Sequence, residues 1–362
     1  MARPLAHGLP DFPWDRIAAA GEVARSHPDG IVDLSIGTPV DDTPEVIQAA
    51  LRDHANAPGY PTAIGLPELR QAWCDWAGRI LNANLDISHV APLIGSKELV
   101  AWLPIVLGLG SDDVVAVPEL AYPTYAVGAL MAGAQFVTYR SVDDIPANTS
   151  MIWVNSPSNP TGYVMSSDEL IAIVQRGREL NVPIVSDECY VELGWDAEPI
   201  SVLDPRVNGG SLDGLLSVHS LSKRSNLAGY RSGAALGDAK LIAAIVSLRK
   251  HAGMLMPFPV QHASIAALND DSHVGVQKAV YRARRDVLHS AFSKAGFEIQ
   301  HSQAGLYLWV TRDEHCLDTV NWLAQRGILV APGDFYGPAG DQFVRVAMTA
   351  TDERVAAAAA RL

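Results

Sequence analysis

The sequence predicts an α/β fold: a mostly parallel central sheet sandwiched by helices, joined to a smaller α+β domain. Two observations carry this. Through the middle of the chain, short apolar runs rich in β-branched residues alternate with helix-like stretches, the rhythm of βαβ units. The final third breaks that rhythm, with a long helical pattern followed by three separated strand-like runs.

In chain order, a first helix is expected over residues 12–25, ahead of the main alternation. Strand-like runs follow at 91–94, 114–117, 136–139, 151–154, 182–185, 215–218 and 232–236. Between the fourth and fifth of these, Ser166 and Glu169 have capping-box spacing. The periodic Leu170, Ile171, Ile173, Val174 and Leu180 then mark a helix. Residues 261–296 read as one long helix, followed by strands at 306–310, 327–330 and 343–346 and a helix at 317–326. The expected division is a large domain of residues 41–255 and a small one of 1–40 with 256–362.

Composition narrows the function. The 362 residues are 48% hydrophobic and 19% charged, an ordinary globular balance. The net charge of −13 argues against an extended nucleic-acid surface. Cys74, Cys189 and Cys316 are odd in number and far apart, so neither a disulfide framework nor a zinc site is expected. The opening MARPLAHGLPDFPWD lacks an apolar run after Arg3, and the apolar stretch 99–109 is too short to span a bilayer. A cytoplasmic protein is expected.

The polar residues that follow the strands are the informative ones. In an open α/β sheet, ligands bind beyond the carboxyl ends of the strands. Here those ends read PELAYPTY (118–125), NSPSNPTG (155–162), SDECY (186–190) and SLSK (220–223). Four in succession point to one site built from many strands. Lys223 follows a strand, where burial would leave a neutral amine able to form a Schiff base. Asp187 ends an apolar strand, and a buried carboxylate needs a partner, such as a pyridinium nitrogen. The GSKE run at 95–98 opens a helix after a strand, a place where free N–H groups receive phosphate. Arg231, eight residues after Lys223, could add a charged fork to the same phosphate.

The string SLSKRSNLAGYRSG resembles the lysine signature of the class I and II aminotransferases, the fold-type I enzymes that use pyridoxal 5′-phosphate (PLP). The likeness runs from about Ile36 to Arg345, with its motifs in the family's order. It implies that Lys223 holds the cofactor covalently and later moves the proton. It implies that Asp187 keeps the pyridine nitrogen protonated, that Tyr190 and Asn159 bond the ring's 3-hydroxyl, and that Tyr122 stacks on the ring. Ser96, Lys97 (through its backbone), Ser220, Ser222 and Arg231 are similar to the phosphate cup. Tyr60 resembles the tyrosine that reaches the phosphate of a partner subunit, which implies a homodimer with shared sites. Arg345 and Gly37 match the residues that receive the substrate α-carboxylate. Metal is not expected.

Within the family, the compact chain and SKRSNLAGYR resemble the bacterial succinyldiaminopimelate transaminases. This implies glutamate and N-succinyl-2-amino-6-ketopimelate as substrates, in lysine and diaminopimelate biosynthesis. Arg224, Arg249, Lys250 and His251 are candidate cations for that long anionic substrate. An aspartate, alanine or aromatic aminotransferase would carry the same cofactor motifs, as would a carbon–sulfur β-lyase of this fold. A regulator built on the fold would need a DNA-binding domain, for which the roughly forty residues before the fold leave too little room.

Overall fold

The computed structural model describes residues 8–10 and 13–362. A seven-stranded sheet forms the centre. Across it the strands run Val90–Leu93, Gly233–Gly237, Leu215–Ser220, Ile184–Asp187, Thr149–Asn155, Val114–Pro118 and Gln135–Tyr139. Every neighbouring pair from Leu215–Ser220 to Gln135–Tyr139 is parallel, and Gly233–Gly237 is antiparallel to both its neighbours. The expected α/β architecture is therefore present. The one reversed strand arises because the chain returns directly after the Lys223 loop instead of crossing over through a helix.

Helices cover both faces. One core gathers Trp73, Trp76, Ile152, Val154, Ile173 and Leu203, and the other Leu99, Leu103, Tyr125, Met151, Trp153 and Ile245. Met151 and Trp153 point to one side while Ile152 and Val154 point to the other, the alternation that a strand buried on both faces requires. The helix Ser167–Leu180 begins at the expected box: the Ser166 hydroxyl accepts the Glu169 N–H, and Glu169 accepts the Ser166 N–H at 2.7 Å. Asn181, left-handed at φ 55°, ends it.

A second sheet, in the order Ala331–Pro332, Phe343–Ala347, Tyr307–Thr311, Glu298–Gln300, is antiparallel throughout. Val32 and Leu34 share its core with Leu306, Leu308 and Val346. Residues of the N-terminal segment thus pack against the C-terminal third.

Three sequence expectations change, and one strand is added. The helix expected over 12–25 starts at a residue outside the described ones. Its described part is a tight 3₁₀ turn, Pro13–Ile17, leading into Ala18–Arg25. The long helix of 261–296 is two, Phe258–Asn269 and Ser272–Lys294. Asp270 adopts an extended backbone, and its carboxylate accepts the Ser272 N–H at 2.9 Å, so an acidic pair breaks one helix and starts the next. The run 327–330 is split: Ile328–Leu329 pairs with Val32–Asp33, and Ala331–Pro332 with Phe343–Ala347. The short edge strand Glu298–Gln300 is too polar for its alternation to show in the sequence. Helix Phe258–Asn269 lies against Glu45–Asp53 and Pro67–Ile80, so Ala263, Ala267 and Leu268 join the core of the large sheet.

Among the described residues, no helix is long and apolar enough to cross a membrane, and no group of three potential metal ligands occurs. The three cysteines are free thiols.

Candidate active site

Parallel strands end at the same edge of a sheet, so their following residues converge. Asn155 sits opposite Asp187 in the register, and Asp187 opposite Val218, two residues before Ser220. Beyond this edge lies a cavity of about 430 Å³, closed on the far side by the second sheet. Its walls carry Gly37, Ser96, Lys97, Tyr122, Asn159, Asp187, Tyr190, Ser220, Ser222, Lys223, Arg231 and Arg345. Twelve of the thirteen sequence-predicted site residues are thus brought together. The thirteenth, Tyr60, is 98% exposed and does not line the cavity of its own chain.

Lys223 lies in the short helix Leu221–Arg224, where Ser220 caps the turn and accepts the Ser222 N–H at 3.2 Å. Its Nζ donates to the Gly37 carbonyl. Burial pushes the amine below the usual lysine range, with Arg345 and Arg231 adding to the effect and Tyr307 opposing it.

Asp187 is 8% exposed and makes no ion pair among the described residues. Its Oδ1 accepts the Cys189 N–H at 3.2 Å and its Oδ2 the Tyr125 hydroxyl at 2.9 Å. Burial raises its pKa despite those bonds. A buried carboxylate without a cation has room for a positive ring nitrogen.

The opposite end suits a phosphate. Helix Ser96–Val106 presents its first N–H groups after Gly95, at φ 86°. A Cβ at Gly95 would lie 2.2 Å from Arg231 Nη2, so glycine is what lets the guanidinium approach the helix start. Arg231 itself takes the left-handed φ of 57°, a strained backbone for a side chain of this size. The Ser220 and Ser222 hydroxyls are 2.9 Å apart beside it. A phosphate at one end, a ring nitrogen at the other and a buried amine between them match the three attachment points of PLP.

Arg345, on strand Phe343–Ala347, is 3% exposed. It donates to Asn159 Oδ1 at 2.8 Å and to the Ser35 carbonyl at 2.7 Å. Its guanidinium lies 3.9 Å over the Tyr307 ring and 5.0 Å from that of Tyr336. Nε has no hydrogen-bond partner, and no carboxylate pairs with it among the described residues. A buried cation without an anion is suited to receive one.

Tyr190 bonds not to a free position but to the Tyr307 hydroxyl, 3.2 Å away. Burial and its neighbour Tyr307 push Tyr190 well above the usual phenol range. Burial also works to raise Tyr307, but Arg345 and Lys223 outweigh it and lower its pKa. Tyr307 is a site residue that the sequence reading missed. Its hydroxyl stands where a Cβ on Gly37 would lie, 2.3 Å away, so Gly37 is needed for the contact. The only signal was a polar tip on an otherwise apolar strand, YLWVT. Tyr125, Trp14, Ile36 and Asn155 also line the cavity without having been singled out.

The four candidate distal cations are a correction: none lines the cavity. Arg224 is buried against Glu192 and Arg249 against Glu98, both as structural pairs. Lys250 and His251 are exposed at the end of helix Ala239–Ala252. Nothing in a linear helix pattern separates a buried ion pair from a ligand cation.

Behind the sheet, Glu188 is buried 3.6 Å from His219. Burial pushes the Glu188 carboxyl up to about 7 from 4.5. A carboxyl whose folded pKa is raised stabilises the fold below its unfolded value, and that contribution is lost as pH rises through the folded pKa. Glu188 therefore contributes a fall in unfolding free energy between about pH 4.5 and about 7, set against a rise from His219, whose burial lowers it from 6.5 to about 3. Glu188→Gln removes only the falling contribution, so its unfolding free energy should rise more with pH across that range than the wild type's, while its amide oxygen still accepts the Val202 N–H. Denaturant titrations across this range check it, and an equal slope in both proteins would contradict it.

The family model for "Aminotransferase class I and II" matches residues 29–362. A probable aminotransferase of Mycobacterium tuberculosis is 55% identical over 99% of this chain and 86% of its own. A 4-dedimethylamino-4-oxo-anhydrotetracycline transaminase of Streptomyces rimosus is 53% identical over 98% and 99%. An LL-diaminopimelate aminotransferase of Dehalococcoides mccartyi is 31% identical over 98% and 96%. An aminotransferase structure from Neisseria meningitidis superposes with a TM-score of 0.90 at 30% identity, covering 99% of each chain.

Proposed function

We propose, from the premise that this chain belongs to the class I and II aminotransferases and is a PLP-dependent enzyme, that it moves an amino group between glutamate and N-succinyl-2-amino-6-ketopimelate. The observation that carries the acid class is Arg345: a buried guanidinium fork, unpaired with any carboxylate among the described residues, facing the same cavity as the Lys223 amine.

Bound PLP would supply the carbon that takes the amino group and the ring that draws in the electron pair left at Cα. The chain's own residues do the rest. Arg345 grips the α-carboxylate by two parallel bonds, with Asn159 and the Ser35 carbonyl fixing its plane. Lys223, lowered in basicity by burial, removes the α-proton and delivers it on the other side of the reacting bond. Asp187 would receive the ring nitrogen. Tyr190 and Asn159 would serve the ring oxygen, and Tyr122 would cover the ring face. Ser96, Lys97, Ser220, Ser222 and Arg231 would hold the phosphate. The bare exposure of Tyr60 supports a homodimer in which it completes the partner's site. A cytoplasmic location and the division into 41–255 and 1–40 with 256–362 belong to the same proposal.

For the distal end, support comes from the diaminopimelate relative and from Lys97, whose amine lies 5.9 Å from the Tyr122 ring at the cavity wall. A second reading rests on the apolar part of that wall, Trp14 and Ile36 with Tyr122. Such a wall suits a bulky ring ketone, the kind of substrate for which the Streptomyces relative is named. Turnover with glutamate and a panel of ketones separates them. The succinylated ketopimelate should give kcat/KM at least about tenfold above pyruvate, oxaloacetate and phenylpyruvate. Preference for a fused-ring ketone would favour the second reading, and keto-acid-independent release of pyruvate would mean a lyase.

A further inference from the structure

Among the residues left unassigned, Tyr125 touches the most of the machinery. It lies in helix Thr124–Met131, directly after the PELAYP segment, and is 0% exposed. Its ring stacks on Trp153 at 4.7 Å and 21°. Its edge meets the Tyr122 ring at 5.9 Å and 83°. Its hydroxyl donates to Asp187 Oδ2 at 2.9 Å. One side chain therefore contacts both the ring-face residue and the carboxylate at the far end of the cavity.

The two Asp187 oxygens are served unequally. Oδ1 takes the Cys189 backbone N–H at 3.2 Å, and the Cys189 thiol also favours the Asp187 charge. Oδ2 takes the Tyr125 hydroxyl, a shorter bond to an ionised acceptor. Asp187 has no cation beside it among the described residues, and burial works against its charge. Burial and the Asp187 charge both keep the Tyr125 phenol protonated, so it remains a donor across the working pH range.

We infer that Tyr125 is a positioning residue for the transamination: its hydroxyl orients the Asp187 carboxylate and holds it in its charged form, while its ring braces Tyr122. Without that bond the carboxylate would compete for the proton on the ring nitrogen, and the ring would draw electrons less strongly. The inference rests on the reading of Asp187 as the partner of that nitrogen. Tyr125 itself touches neither substrate nor the reacting bonds.

The test uses the full-length protein with Tyr125→Phe, which keeps the stack and deletes the donor. Three readouts are taken: the Kd for PLP on titrating the apoprotein, the pH midpoint of the bound cofactor's visible absorbance, and kcat with KM for glutamate. Kd should weaken about tenfold and kcat fall about tenfold, with KM within about twofold, the size expected for one charge-assisted hydrogen bond. The absorbance midpoint should move. Trp153→Phe, which alters the stack and spares the bond, should leave the midpoint in place. Tyr125→His keeps a donor and serves if Tyr125→Phe does not fold; its Kd should stay within about threefold of wild type. An unchanged Kd and midpoint in Tyr125→Phe overturns the inference, as does a Trp153→Phe midpoint shifted equally. Failure of the wild-type protein to bind PLP or to transaminate would instead fell the reading of the site.

Discussion

Lys223→Ala is expected to reduce turnover by about 10⁴-fold or more. General-base catalysis alone contributes up to about 10⁴-fold, and this substitution removes the covalent anchor as well. The Lys223 amine sits in the cavity wall against the Gly37 carbonyl. Lys97 is the other lysine lining the cavity, and its amine is turned toward the Tyr122 ring. The direct measurement is borohydride treatment followed by intact-mass analysis. The wild-type protein should gain one reduced cofactor and the variant none. Retained turnover together with a retained covalent adduct would remove Lys223 from its role.

Arg345→Ala is expected to cost about 2–5 kcal/mol in transition-state binding of any α-amino acid, roughly 30-fold to several-thousand-fold in kcat/KM. Truncating one partner of a buried charged pair also leaves the incoming carboxylate desolvated and unmatched. Arg345→Lys should recover only part of this, because a point charge cannot reproduce the planar fork or the stacking 3.9 Å over Tyr307. Steady-state kinetics with glutamate and with its decarboxylated analogue checks it. Loss of kcat/KM should be large for glutamate and small for the amine. Equal losses for both would mean that Arg345 supports the fold rather than reads the carboxylate.

The sequence exposed the parts of this site that sit at strand ends. Asp187, Asn159, Ser220 and Lys223 each follow an apolar run, and the register of a parallel sheet then brings them together with no further information. The sheet itself was legible for the same reason, since strands buried on both faces are continuous apolar runs. What stayed hidden depended on tertiary contact. Tyr307 looks like a core aromatic until the second sheet closes on Gly37. Tyr125 looks like helix filler until its hydroxyl is seen on Asp187. Arg224 and Arg249 looked like ligand cations because their partners, Glu192 and Glu98, are 32 residues away in the first case and in a separate helix in the second. The break at Asp270 was hidden because apolar periodicity continues on both sides of it.

The grip on Arg345 has one more consequence. Its two fixed partners, Asn159 and Ser35, lie 186 and 310 residues away in the chain. Contacts between such remote segments are among the slowest to form, because the intervening chain must be ordered before they are rewarded. An incompletely folded molecule can therefore hold a good sheet, even a cofactor-shaped edge, and still be unable to orient an amino acid. The substrate is gripped only by molecules in which the first and last tenths of the chain have found each other.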